Sequence, residues 1–219
     1  MASRGLRPVV AGVDAALGGW IAVILDDGAF ADARLFGDFG AVLDGLADVH
    51  VIGVDIPIGL PAEGQRRADL EACRFVGVRR SSVFFAPVRR VFEEETYAAA
   101  RVRYRGISAQ AWALKRAIVE VEDYATDSRV CEVHPEVSFR ALNDAELPYR
   151  KRSWNGQQHR LGLLHEAGIE LPPTLDAGLA PADDVIDAAV VAWSAGRIAA
   201  GGAKTLPEHP YPGEPLINY

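Results

Sequence analysis

Pro8-Val-Val-Ala-Gly-Val-Asp14 is a continuous apolar run closed by an acid, the pattern of a strand buried on both faces. A second apolar run, Gly19-Trp-Ile-Ala-Val-Ile-Leu25, follows across the Gly-bounded turn Ala15-Ala-Leu-Gly18, so the pair reads as a hairpin. Asp26-Asp27-Gly28 marks another turn, and a weaker third strand is expected near residues 30–36. Phe39, Val42, Leu43 and Leu46 then recur at helical spacing. Val49-His-Val-Ile-Gly-Val-Asp55 returns to an apolar strand ending on an acid. Hairpin, third strand, helix and strand make an α/β order in which the fourth strand lies parallel to the first.

Beyond Asp55 the texture changes. Ile56-Pro-Ile-Gly-Leu-Pro61 is a loop, and Arg-rich helical segments are expected near 65–76, 93–105 and 108–126. Arg79-Arg-Ser-Ser-Val-Phe-Phe-Ala-Pro87 between them is too broken for a long helix. Val130-Cys-Glu-Val-His134 reads as a fifth strand, leading through Pro135 into a short helix. Lys151 to Ala167 reads as a basic start followed by an amphipathic helix. Residues 184–195 are helical and apolar nearly all round, hence buried, and the Pro-rich stretch from Leu206 reads as coil.

The 219 residues suit a single domain over 1–219 with a helical insertion at 62–128, large enough to bury roughly 70% of its unfolded surface. With 49% hydrophobic and 24% charged residues, disorder, collagen and coiled coil are excluded. No apolar run approaches the ~18 residues of a membrane span, and residues 1–8 carry no signal-peptide h-region, so a cytoplasmic protein is expected, with no membrane partner. Cys73 and Cys131 are too few for a disulfide framework or a zinc cage. The net charge of −7 is uneven: −6 over residues 1–65, +5 over 66–160 and −6 over 161–219. An acidic frame surrounds an Arg-rich middle.

Asp14 and Asp55 close strands that, if parallel neighbours, end about 5 Å apart. Asp184 and Asp187 are three apart at a helix start and share a face. Carboxylates that converge repel unless a cation lies between them, and hard oxygen ligands suit a divalent ion. Taken singly, such acids also serve as turn formers and helix caps. Asp14, Asp55 and Asp187 together point to a metal site.

These motifs resemble a known family. The stretch around Asp14, the run ending Asp55-Ile-Pro-Ile-Gly-Leu-Pro61, Arg80-Ser-Ser-Val-Phe-Phe-Ala-Pro87, Glu132-Val-His-Pro-Glu136 and Asp184-Val-Ile-Asp-Ala-Ala look like domain-of-unknown-function family 429, described as predicted nucleases of the ribonuclease-H-like fold. The resemblance implies a five-stranded mixed sheet in the order 3-2-1-4-5, flanked by helices. It also implies an acidic site built from Asp14, Asp55 and the last helix. The Asp-x-x-Asp at 184 and 187 is similar to the closing helix of the Holliday-junction resolvases. The chemistry that follows is phosphodiester hydrolysis with two Mg²⁺ or Mn²⁺ ions. Asp14, Asp55 and Asp187 would be the metal ligands, with Asp184 or Glu132 completing a shell.

DNA or RNA is the expected partner. Arg66, Arg67, Arg74, Arg79 and Arg80, with Ser81 and Ser82, are candidate phosphate contacts, or else a solvated face paired with Asp69 and Glu71. Lys151, Arg152 and Arg160 form a second basic cluster around Trp154, which either stacks a base or belongs to the core. His134 is a proton carrier or a structural residue. Two competing classes remain: a phosphotransferase acting on a small phosphorylated substrate, and a non-catalytic binding module with a relic site. The kinase-type alternative lacks a Gly-rich phosphate loop after the first strand, and the chain is too short for its two domains.

Overall fold

The computed structural model describes residues 8–104 and 106–219. Strands β1 (Val10–Ala16), β2 (Gly19–Asp26) and β3 (Ala29–Phe36) form an antiparallel meander. The β1–β2 turn puts Leu17 and Gly18 at positive φ, the twist that two-residue hairpins need. Helix α1 (Phe39–Gly45), capped by the Asp38 carboxylate on the Ala41 N–H, returns the chain to β4 (Val51–Val54), which pairs parallel to β1. Past a helical region, β5 (Val130–Glu132) pairs parallel to β4. The sheet order is therefore β3-β2-β1-β4-β5, the mixed five-stranded arrangement expected from sequence.

Between β4 and β5 lie α2 (Arg67–Phe75), a 3₁₀ turn (Gly77–Ser82), a second (Arg89–Glu93), and helices α3 (Tyr97–Arg103), α4 (Ala109–Ala113) and α5 (Lys115–Glu122). After β5 come α6 (Pro135–Leu142), α7 (Trp154–Glu166) and α8 (Ala182–Ala199). One sheet face, with Val10, Ile21, Val23 and Leu25, packs on α8 and its neighbours. The other, with Val13, Trp20, Ile52 and Val54, packs on α1 and α5. The stretch from Leu206 departs from the expected coil. Two short strands, β6 (Thr205–Leu206) and β7 (Ile217–Asn218), pair with each other, and Asn218 bridges to Val133 beside β5. Among the described residues no helix is long and apolar enough to cross a membrane.

Helix α8 lies unusually close to the sheet, and two glycines are the reason. A Cβ at Gly12 would meet the Ala188 carbonyl oxygen and the Ala192 nitrogen at 2.1 Å. One at Gly53, its partner across the β1–β4 ladder, would meet the Val191 side chain at 2.8 Å. Any side chain at either position would lift the helix away. Residues two apart share a sheet face, so Asp14 and Asp55 project on the side where α8 docks.

Candidate metal centre

The Gly12–Gly53 register carries Asp14 and Asp55 to neighbouring positions, with the Asp55 N–H donating to the Val13 carbonyl at 2.9 Å. Strand β1 continues two residues past Asp14, so that acid sits inside the strand and not at its end. The close approach of α8 brings in Asp187 from its second turn. Carboxylate oxygens of Asp14, Asp55 and Asp187 lie within 4.8 Å of one another. Asp14 and Asp187 are buried, and Asp55 is half-buried.

Burial and mutual repulsion act together on these acids. Burial first, then the charges of Asp55 and Asp187, hold the Asp14 carboxyl well above its ordinary range. Burial and Asp187 raise Asp55 to about 8. Burial also raises Asp187, against the pull of Lys151. The Lys151 ammonium donates to Asp187 Oδ2, and despite the cost of burial the acids hold its pKa above the usual lysine value. A cation thus already sits among the three acids. The donors are all hard carboxylate oxygens, the set that divalent ions such as Mg²⁺ or Mn²⁺ prefer. The group can hold a metal ion.

The other expected site residues are placed differently. Glu132 pairs with Val54 across the β4–β5 ladder and so faces the side of the sheet opposite Asp14 and Asp55. Both of its oxygens are taken by the Arg66 guanidinium at 2.7 Å, and Oε2 also accepts from the Ile58 N–H. Asp69 completes this cluster on Arg66 and accepts from the Ala86 N–H. Arg66 is buried there and does not face solvent phosphates. Asp184 is half-buried beside the triad, raised to about 6 by burial and by Asp183.

Arg152 pairs with Asp183, and Arg67 with Glu214 and Glu71. Arg160 is buried against Glu136. Arg74, Arg80 and Ser81 are exposed, while Ser82 donates to the Arg79 carbonyl. The Arg79 Nε is buried with no hydrogen-bond partner among the described residues. Trp154 is 73% exposed at the start of α7. His134 Nδ1 accepts from the Glu136 N–H and caps α6, and burial lowers its pKa to about 4, so it is neutral at pH 7.

Sequence reasoning missed the pairing of Lys151 with Asp187, which has no local signature. It also missed what the glycines do, although both acids stand in the same tripeptide, Gly12-Val-Asp14 and Gly53-Val-Asp55. That repetition was the available signal.

Fold and site define an α/β protein with an acidic centre at the end of its parallel strands, built to hold positive charge. The chain belongs to the family described as protein of unknown function DUF429, whose model matches residues 12–211 and so covers all three acids. Comparison with curated proteins and with solved structures yields no match.

Proposed function

We propose that this protein is a cytoplasmic, divalent-metal-dependent nuclease of ribonuclease-H-like architecture that hydrolyses phosphodiester bonds in DNA or RNA. The observation that carries the reading is the convergence of Asp14, Asp55 and Asp187 within 4.8 Å around a lysine ammonium. Bound there, two Mg²⁺ or Mn²⁺ ions would activate water and stabilise the leaving oxygen. The three acids hold the ions, and Asp184 stands next in line. Lys151 supplies positive charge toward a phosphate at the same place. Arg74, Arg79, Arg80 and Ser81 grip flanking phosphates with groups that are exposed or unpaired. His134, neutral and engaged as a cap, fixes α6 and takes no part in proton transfer.

Labelled DNA, RNA and branched substrates incubated with Mn²⁺ test this reading. The wild type is expected to cleave at least one of them. Asp14→Asn should lower the rate by about a hundredfold or more, beyond what loss of an outer-shell partner costs, and should remove the thermal shift that Mn²⁺ gives the wild type. The second reading, a binding module with a relic site, is favoured by one observation: Lys151 already compensates part of the acidic charge without a metal. Binding of nucleic acid with no cleavage under any of these conditions would select it.

A further inference from the structure

We infer that Lys151 is a built-in counter-ion that couples metal loading to substrate. Its ammonium holds the acids while no phosphate is present, and moves to a phosphate oxygen when one arrives, which frees the carboxylates for the metal. The inference rests on the metal-dependent reading above and adds an order of events to it.

Charge balance is the first support. Three carboxyl groups converge on one ammonium that is bonded to Asp187, so the centre gains net negative charge as Asp14 and Asp55 give up their protons to a dication, yet the ammonium repels that dication from the same oxygens. Access is the second. Asp187 is 2% exposed but the Lys151 side chain is 34% exposed, so the lysine reaches in from solvent and has a way out. Arg160 and Glu136 nearby are 1% and 4% exposed, the closed form of such a pair.

The third support is the backbone around Lys151. The Arg150 carbonyl accepts from the Ser153 N–H and hydroxyl, and the Tyr149 carbonyl faces Arg160, so both are tied to the first turns of α7. A four-carbon stem can swing from this fixed base without loop movement. The neighbouring Arg152 is turned to Asp183 instead.

The test is calorimetric titration of the full chain with Mn²⁺, read as affinity and independent of cleavage. Lys151→Gln should bind Mn²⁺ about tenfold or more tighter than wild type, and Lys151→Arg should not. A phosphorothioate oligonucleotide should tighten Mn²⁺ binding by the wild type and add less in Lys151→Gln. Equal or weaker Mn²⁺ binding by Lys151→Gln overturns the inference. Tighter binding by that variant, with no oligonucleotide effect on the wild type, sinks the phosphate hand-over and the nucleic-acid substrate while the counter-ion role stands. Should Lys151→Gln melt early, Mn²⁺ is expected to restore its Tm, and a variant that stays unfolded with saturating Mn²⁺ makes Lys151 purely structural.

Discussion

Two clusters of buried acids lie on opposite faces of one sheet end, and the cation at the heart of each sets its character. In the first, Asp69 and Glu132 share Arg66. The guanidinium spends its donors on both carboxylates and on the Ile58 carbonyl, and backbone N–H groups of Ile58 and Ala86 fill the remaining acceptor sites. In the second, three carboxylates share one lysine, and Asp55 stays half-buried with its pKa raised to about 8. The arginine cluster is saturated and pins the loop after β4. The lysine cluster is under-compensated and open. A planar fork with five donors can close a buried site, whereas a single ammonium on a flexible stem leaves charge and valence over. Saturation marks the structural member of the pair, and incomplete compensation marks the one able to take a metal ion.

The largest expected effect breaks the saturated cluster. Arg66→Met leaves Asp69 and Glu132 buried without their cation and should cost about 3–5 kcal/mol in denaturant unfolding. Arg66→Lys should recover only part of this loss, since an ammonium cannot reproduce the bidentate geometry. If Arg66→Met unfolds like the wild type, the contrast between the clusters collapses.

Acidity sharpens the contrast at an intermediate scale. The Asp55 carboxyl titrates near 3.8 when unfolded and at about 8 in the metal-free fold. Between those values the folded chain binds more protons than the unfolded one, so stability falls as pH rises from about 4 to about 8. Thermal melts in chelator across this window should show the decline. Asp55→Asn should reduce it, leaving the contributions of Asp14 and Asp187, which are raised in the same direction. Saturating Mn²⁺ should flatten it in the wild type. A decline that neither Asp14→Asn nor Asp55→Asn reduces would place its origin outside the acidic centre.

The smallest effect lies at the periphery. Replacing Arg79 and Arg80 with Gln should leave Mn²⁺ binding unchanged and reduce the log–log salt slope of nucleic-acid binding. The slope should drop by roughly 0.7–0.9 for every phosphate that is no longer neutralised. Filter binding at several salt concentrations reads this directly, and an unchanged slope removes the 3₁₀ turn from the interface.

Much of this was legible in the sequence because strand burial and strand-closing acids are local signals. The run ending at Asp14 and the run ending at Asp55 announce two buried strands, and the intervening helix makes them parallel. Which face each acid takes was less legible. Glu132 stands in an apolar strand much as Asp55 follows one, but the register Val54↔Glu132 turns it to the other side, and its partner Arg66 lies 66 residues earlier in the chain. Lys151 and Asp187 are likewise joined only by tertiary structure, across 36 residues. The pairing of β6 with β7 escaped because two-residue strands carry no periodicity.

The glycine groove also has a consequence in time. Gly12 and Gly53 are made early, but the helix that fills the groove starts only at residue 182. At about 5–20 residues per second, roughly 6–25 s of synthesis separate the completed β1–β4 pair from the first residue of α8. Throughout that interval one side of the nascent sheet stays uncovered and Asp14 and Asp55 lack their third partner. The third carboxylate arrives only with α8, so the acidic cluster is completed late in the synthesis of the chain.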